Sequence, residues 1–176
     1  VYYVDYPPTI EKSTGAPFNE GGTLTLTNSM LLTTDEEQQP IDLVYTLKSL
    51  PSNFVLYKDS TPLNSAVDGV LLRVGDSFTQ KDVNDGLIRI VHNGGEVFTP
   101  DFTFQVSDGS NPAVPVDSVA TFAVDVVPAN DSPDVNTSGL VAYEGLSYVL
   151  TPSNFSASDV DGVSSDKNTG YAACLL

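Results

Sequence analysis

His92 is the single histidine of the chain, and Cys174 its single cysteine. No Cys/His pair exists to hold zinc or activate a thiol, and no serine sits in a nucleophile elbow. His92 ends an apolar run and precedes Asn93-Gly94-Gly95, where a ring is expected to hold a turn rather than move protons. Asp82 and Asp85 form an acidic pair, but glycoside hydrolysis needs two carboxylates across a cleft. The chain is therefore expected to be non-enzymatic. Asparagines offer other chemistry: Asn130-Asp131-Ser132, Asn136-Thr137-Ser138 and Asn154-Phe155-Ser156 are glycosylation sequons. Asn130 and Asp131 also carry oxygens able to ligate a hard cation.

The elements that would position these residues are strands. Thr79 and Asp82, three apart, cap a short helical turn. Leu87–Val91 follows Asp85-Gly86 as a β-branched run, and Asn93-Gly94-Gly95 turns it back. In the next strand Phe102, Phe104 and Val106 alternate with Thr103, Gln105 and Ser107, so one face is buried. Further strands are expected at Thr23–Thr27, Ile41–Leu47, Phe54–Tyr57, Val70–Val74 and Ser118–Val127. The last is read as one strand with Ala120, Phe122, Val124 and Val126 inward. Helical periodicity is absent. Short strands with turn signals every ~8–12 residues and one wet face predict an all-β, antiparallel β-sandwich.

Seven basic against 23 acidic side chains give a formal charge of −16. That field repels nucleic acid and anionic membrane, and it suits divalent cations or plain solubility. No apolar run is long enough to span a membrane. A single cysteine cannot build an intrachain disulfide. The chain opens Val-Tyr-Tyr-Val without Met or signal peptide, and so reads as a processed or excised piece.

The chain also repeats itself. Glu20-Gly21 recurs as Glu144-Gly145, and at the same offset of 124 residues Leu26-Thr27 meets Leu150-Thr151, Leu31 meets Phe155 and Asp35 meets Asp159. So long a period fits whole domains in tandem rather than a solenoid. The expected division is a last-strand remnant and linker over 1–8, a complete sandwich over 9–128, a linker over 129–134 and a partial second module over 135–176.

The stretch GDSFTQKDVNDGLIRIVHNGGE, followed by DFTFQVSDG, resembles the chondroitin sulfate proteoglycan (CSPG) repeat of extracellular matrix and surface proteins. The residues that carry the resemblance are Gly75, Phe78, Thr79, Gln80, Asp82, Val83, Gly86 and Ile88, then Asp101, Phe102, Phe104, Val106, Asp108 and Gly109. CSPG repeats are similar to cadherin domains, so the resemblance implies a cadherin-like (Ig-like Greek-key) sandwich in a tandem extracellular or cell-surface protein. It also implies a calcium site between modules. The matching positions are Glu20, Asn130, Asp131, Asp159 and Asp161, and Ca²⁺ there would stiffen the joint by removing like-charge repulsion. The cadherin Asp-Arg-Glu element is absent, and Asp35-Glu36-Glu37 stands where Asp-x-Asp belongs in the first copy. The other reading of these acids is a solvated hinge.

Three functions follow as expectations. The chain is a structural or adhesive module whose partners are adjacent modules. Or it is a filament subunit, in which Val1, Tyr2, Tyr3, Val4 and Tyr6 of one copy add a strand to the partial module of the next, head to tail. Or it binds carbohydrate or protein through Tyr2, Tyr3, Tyr6, Tyr143 and Tyr148, residues that would otherwise pack at a module joint.

Overall fold

The structure, a computed structural model, describes residues 5–61, 69–96, 101–109, 119–137, 143–147, 149, 151 and 154–159. The chain divides into two compact units, Val1–Pro128 and Ala129–Leu176.

The strands of the first unit are β1 (Thr9–Ser13), β2 (Phe18–Asn19), β3 (Thr23–Thr25), β4 (Leu31–Thr34), β5 (Val44–Ser49), β6 (Phe54–Lys58), β7 (Val70–Leu72), β8 (Ser77–Thr79), β9 (Ile88–His92), β10 (Phe102–Ser107), β11 (Ala120–Phe122) and β12 (Val126–Val127); α1 (Gln80–Asn84) lies between β8 and β9. Among the described residues they form two four-stranded antiparallel sheets, β11-β10-β5-β8 and β3-β9-β6-β7. β1 pairs with β4, and β2 pairs in parallel with β12. This is a cadherin-like β-sandwich. Side chains alternate across each strand, so each sheet buries one face. Tyr45, Phe78, Phe102, Phe104 and Phe122 meet Leu24, Leu56, Ile88 and Ile90 in one core. Tyr45 stacks on Phe78 and Phe102 on Phe122, with ring centroids 5.0 and 4.9 Å apart.

The Phe-Thr-Gln-x-Asp run distributes its residues over several tasks. Phe78 enters the core. Thr79 caps α1, and Asp82 completes a capping box. The fully buried Gln80 cross-links three elements. Its Oε1 accepts from the Thr33 N–H at 2.8 Å and from the Tyr45 hydroxyl, while its Nε2 donates to the Leu31 carbonyl at 3.3 Å and Asn84 Oδ1 at 2.9 Å. Oε1 has no proton to give, so the phenol donates to Gln80 and the Thr33 hydroxyl, 2.7 Å away, donates to the phenol. Burial pushes the Tyr45 phenol up to about 12, against the opposing pull of its Thr33 hydrogen bond.

Four segments differ from expectation. β5 starts at Val44, because a turn closed by the Asp42 N–H on the Gln39 carbonyl (2.9 Å) leaves Ile41 outside. β7 is an edge strand in which Leu72 alone is buried. Ser118–Val127 is not one strand: β11 pairs with β10, and β12 crosses to β2. The inward alternation of Phe122, Val124 and Val126 survives the change of partner. β1, which carries only Ile10 as an apolar anchor, was not expected.

In the second unit β13 (Asp134–Thr137) pairs with β14 (Phe155–Ser158). This hairpin repeats the first unit at the offset of 124. Lys12↔Leu32 and Ser13↔Leu31 correspond to Asn136↔Ser156 and Thr137↔Phe155. The turn bonds from Met30 and Leu31 to the Thr27 carbonyl correspond to those from Asn154 and Phe155 to Thr151. Gly21 and Gly145 share a positive φ, 66° and 79°.

Burial alone would raise the Asp82 pKa. Hydrogen bonds from Lys58 Nζ (2.7 Å) and from the Thr79 N–H (2.7 Å) and hydroxyl (2.9 Å) outweigh it and hold the carboxyl below its ordinary value. A depressed folded-state pKa stabilises above the unfolded value and loses that contribution as pH falls through the folded one. Urea unfolding should show stability falling below about pH 4, with a shallower fall in Asp82→Asn. Equal slopes in the two proteins would refute this role.

Candidate functional site

β2 runs beside β12, and the N–H of Glu20 donates to the Val127 carbonyl at 2.9 Å. The chain then turns, with the Gly22 N–H on the Asn19 carbonyl at 2.9 Å. Gly21 sits at positive φ, and a Cβ on Gly22 would lie 2.6 Å from the Asn19 oxygen, so the pair must be glycine. The last residue of β9, His92, holds this turn. Its own N–H donates to the Gly22 carbonyl at 3.0 Å. Its ring, 2% exposed, accepts the N–H of Gly21 (3.2 Å) and of Gly94 (3.0 Å) on Nδ1.

An Nδ1 that accepts carries no proton, so the neutral ring is protonated on Nε2. Nε2 lies 3.1 Å from Nδ2 of Asn53; with the proton on Nε2, the amide takes the flipped orientation that puts its oxygen there as acceptor. The Asn93 N–H donates to the Asn53 carbonyl at 3.0 Å. Phe54 and Phe18 pack edge-on to the ring, with centroids 4.7 and 6.5 Å away. One imidazole thus joins the 19–22 turn, the 53 loop and the 93–95 turn. Beside it a carboxylate oxygen of Glu20 lies within 4.8 Å of one of Glu96. Both acids sit at the end of the unit where β12 delivers the chain towards Asn130 and Asp131.

Glu20 is half-buried in this turn. Asn130 and Asp131 are exposed, and Asn130 Nδ2 donates to the Asp131 carbonyl at 2.7 Å. Asp159 follows β14 and is partly exposed. Asn136 is exposed on β13, opposite Ser156. Asn154 sits in the turn before β14, where Oδ1 accepts from the Thr151 N–H (3.2 Å) and hydroxyl (2.8 Å). Tyr6 and Tyr143 are 53% and 70% exposed. Asp161, Val1, Tyr2, Tyr3, Val4, Tyr148 and Cys174 lie outside the described residues. Sequence reasoning missed Glu96 and Asn53, which reach His92 and Glu20 only through the pairing of β3, β6 and β9.

Two antiparallel sheets sharing one core, with His92 and Gln80 holding the backbone of neighbouring elements, define a β-sandwich module. Residues 8–126 match the cadherin-like family, and the chain belongs to it. It is 29% identical over 162 residues (92% of this chain, 5% of that protein) to "Extracellular matrix protein 3" of Lytechinus variegatus. Against human "FRAS1-related extracellular matrix protein 2" it is 30% identical over 165 residues (93% and 5%), and against human "Chondroitin sulfate proteoglycan 4" 31% over 153 residues (84% and 6%). The chain thus spans about 5% of the length of the first two of these relatives. The CSPG-like reading of Gly75–Gly109 holds, and the chain is an extracellular module of structural or adhesive type. Among the described residues no helix is long and apolar enough to cross a membrane.

His92→Ala deletes the acceptor for two part-buried N–H groups and opens a cavity beside Phe54. It should lower unfolding free energy by about 3 kcal/mol. Chemical denaturation measures this, and a loss under about 1 kcal/mol would refute the cross-link.

Proposed function

We propose that this chain is a non-enzymatic, load-bearing spacer from a tandem array of cadherin-like sandwiches. The observation that carries the reading is the parallel ladder between the chain's entry into the first unit and its exit. Thr14 bridges Ala123 in parallel, and Ser13 Oγ donates to the Thr121 carbonyl at 2.6 Å. The N–H groups of Gly15, Phe18 and Glu20 donate to the carbonyls of Ala123, Asp125 and Val127 at 2.8, 3.2 and 2.9 Å. Tension between neighbouring modules pulls these two parallel segments in opposite directions. Their hydrogen bonds are then loaded in shear and must break together rather than one at a time. The hairpin repeated at the offset of 124 supports the tandem arrangement. The buried carboxylates Asp82 and Asp59 are paired with Lys58 and Arg89, which supports a non-enzymatic reading.

Calcium is the ion this reading takes at the joint. Glu20 and Glu96 form an oxygen-only pair that suits a hard cation. Asn130, Asp131, Asp159 and Asp161 are the further ligands expected from the sequence. Bound Ca²⁺ would neutralise the carboxylates and stiffen the linker. A second reading is head-to-tail assembly by strand addition of Val1–Tyr6. It draws on the exposure of every residue of β13 and β14, including Val135 (51%) and Phe155 (54%).

Pulled between its ends, the chain should unfold at a high force that falls in Gly15→Pro, which removes one ladder donor. An unchanged force would remove the clamp. Melting and sedimentation of one preparation test the rest. Ca²⁺ should raise Tm, with the rise lost in EDTA and in Glu20→Gln; no rise refutes the ion. Particles longer than a monomer should vanish when residues 1–6 are deleted, and a native chain that sediments as a monomer refutes assembly.

A further inference from the structure

We propose that Asn93-Gly94 is a self-modifying site at which the chain converts Asn93 to an aspartyl or isoaspartyl residue, with His92 as the base. This is the sole Asn-Gly pair in the sequence. Three groups meet there with defined roles. The nucleophile is the backbone nitrogen of Gly94, whose N–H points at His92 Nδ1, 3.0 Å away. The electrophile is the Asn93 side-chain amide carbon, whose Oδ1 accepts the Gly95 N–H at 3.1 Å. That bond polarises the carbonyl and stabilises the oxyanion formed on attack. Gly94 adopts φ +82° and has no side chain to block the approach. Asn93 is exposed, so water reaches the product.

The hydrogen bond to Nδ1 lies in the peptide plane, while the attacking π electrons lie perpendicular to it. Proton removal and attack therefore do not compete for space. The Gly94 nitrogen gives its proton to Nδ1 and bonds to the Asn93 amide carbon. The resulting imidazolium donates from Nε2–H to the Asn53 amide oxygen in the flipped orientation that the neutral tautomer already requires. Nδ1 then returns the proton to the side-chain NH₂, which leaves as ammonia, and a succinimide remains. Water opens the ring at either carbonyl. The net change is Asn plus water to Asp or isoAsp plus ammonia. The product carries a new carboxylate at the end of the module that holds Glu20 and Glu96. The iso form also lengthens the backbone of the turn by one methylene.

The test compares the native chain folded in buffer with the same chain unfolded in urea at one neutral pH, by peptide mapping of residue 93 and release of ammonia. The folded chain should react about a hundredfold faster or more, the lower end of what a positioned base contributes. Folded His92→Gln, whose amide can accept an N–H but not take its proton, should fall to the unfolded rate. A folded chain that reacts no faster than the unfolded one overturns the site, and undiminished reaction in folded His92→Gln overturns the base. If that variant does not fold, the first comparison decides.

Discussion

A ring nitrogen without a proton organises one end of this sandwich. Gly21 and Gly94 both turn part-buried N–H groups to this ring, and backbone donors shielded from water need an acceptor. A carboxylate could accept both, but it would add buried charge beside Glu20 and Glu96. An amide could accept them, but it lacks the flat apolar faces that meet Phe18 and Phe54. Histidine in one tautomer accepts on Nδ1, donates from Nε2 to Asn53 and packs as an aromatic. The 19–22 turn, and with it the position of Glu20, depends on that tautomer.

The same economy appears elsewhere in the first unit, which contains no cysteine to join the layers by a disulfide. Gln80 ties α1 to β4 and β5 through groups that are fully buried. Asp59 and Arg89 form a forked ion pair between the end of β6 and β9. The approach of Gly69 is part of that pair's packing, since a Cβ there would lie 2.5 Å from Asp59 Oδ1 and 2.6 Å from the Lys58 carbonyl. Buried charges of this kind set geometry more than they add stability.

Much of this was legible in the sequence because it is local. The Thr79/Asp82 cap, the Phe102/Phe104/Val106 face and the Asn93-Gly94-Gly95 turn depend on residues within a few positions of one another. The structural role of His92 could be read from its place between an apolar run and a glycine turn, though not its partners. Glu96 was invisible because nothing in its neighbourhood marks it; it matters only because β9 returns beside β3. Ser118–Val127 shows the other limit. Its alternation reports which side chains face inward, and that period is unchanged when the backbone moves from β10 to β2. Burial pattern and hydrogen-bond partner are separate facts, and sequence periodicity carries only the first.

The repeat carries that distinction to the scale of modules. Leu31 and Phe155 occupy equivalent places in equivalent hairpins, after equivalent turns, yet Leu31 is fully buried and Phe155 is 54% exposed. The local information for β13 and β14 is sufficient to set their pairing. What covers Leu31 is not local: it is the core built by β5, β10 and the strands beside them. A two-stranded hairpin is marginal alone, so the order of such a hairpin is tied to the layer that closes over it. In the first unit that layer is locked by the parallel ladder of residues 13–20 against 121–127, whose last bond positions Glu20. The segment that closes the core and the turn that places Glu20 are therefore one continuous piece of backbone.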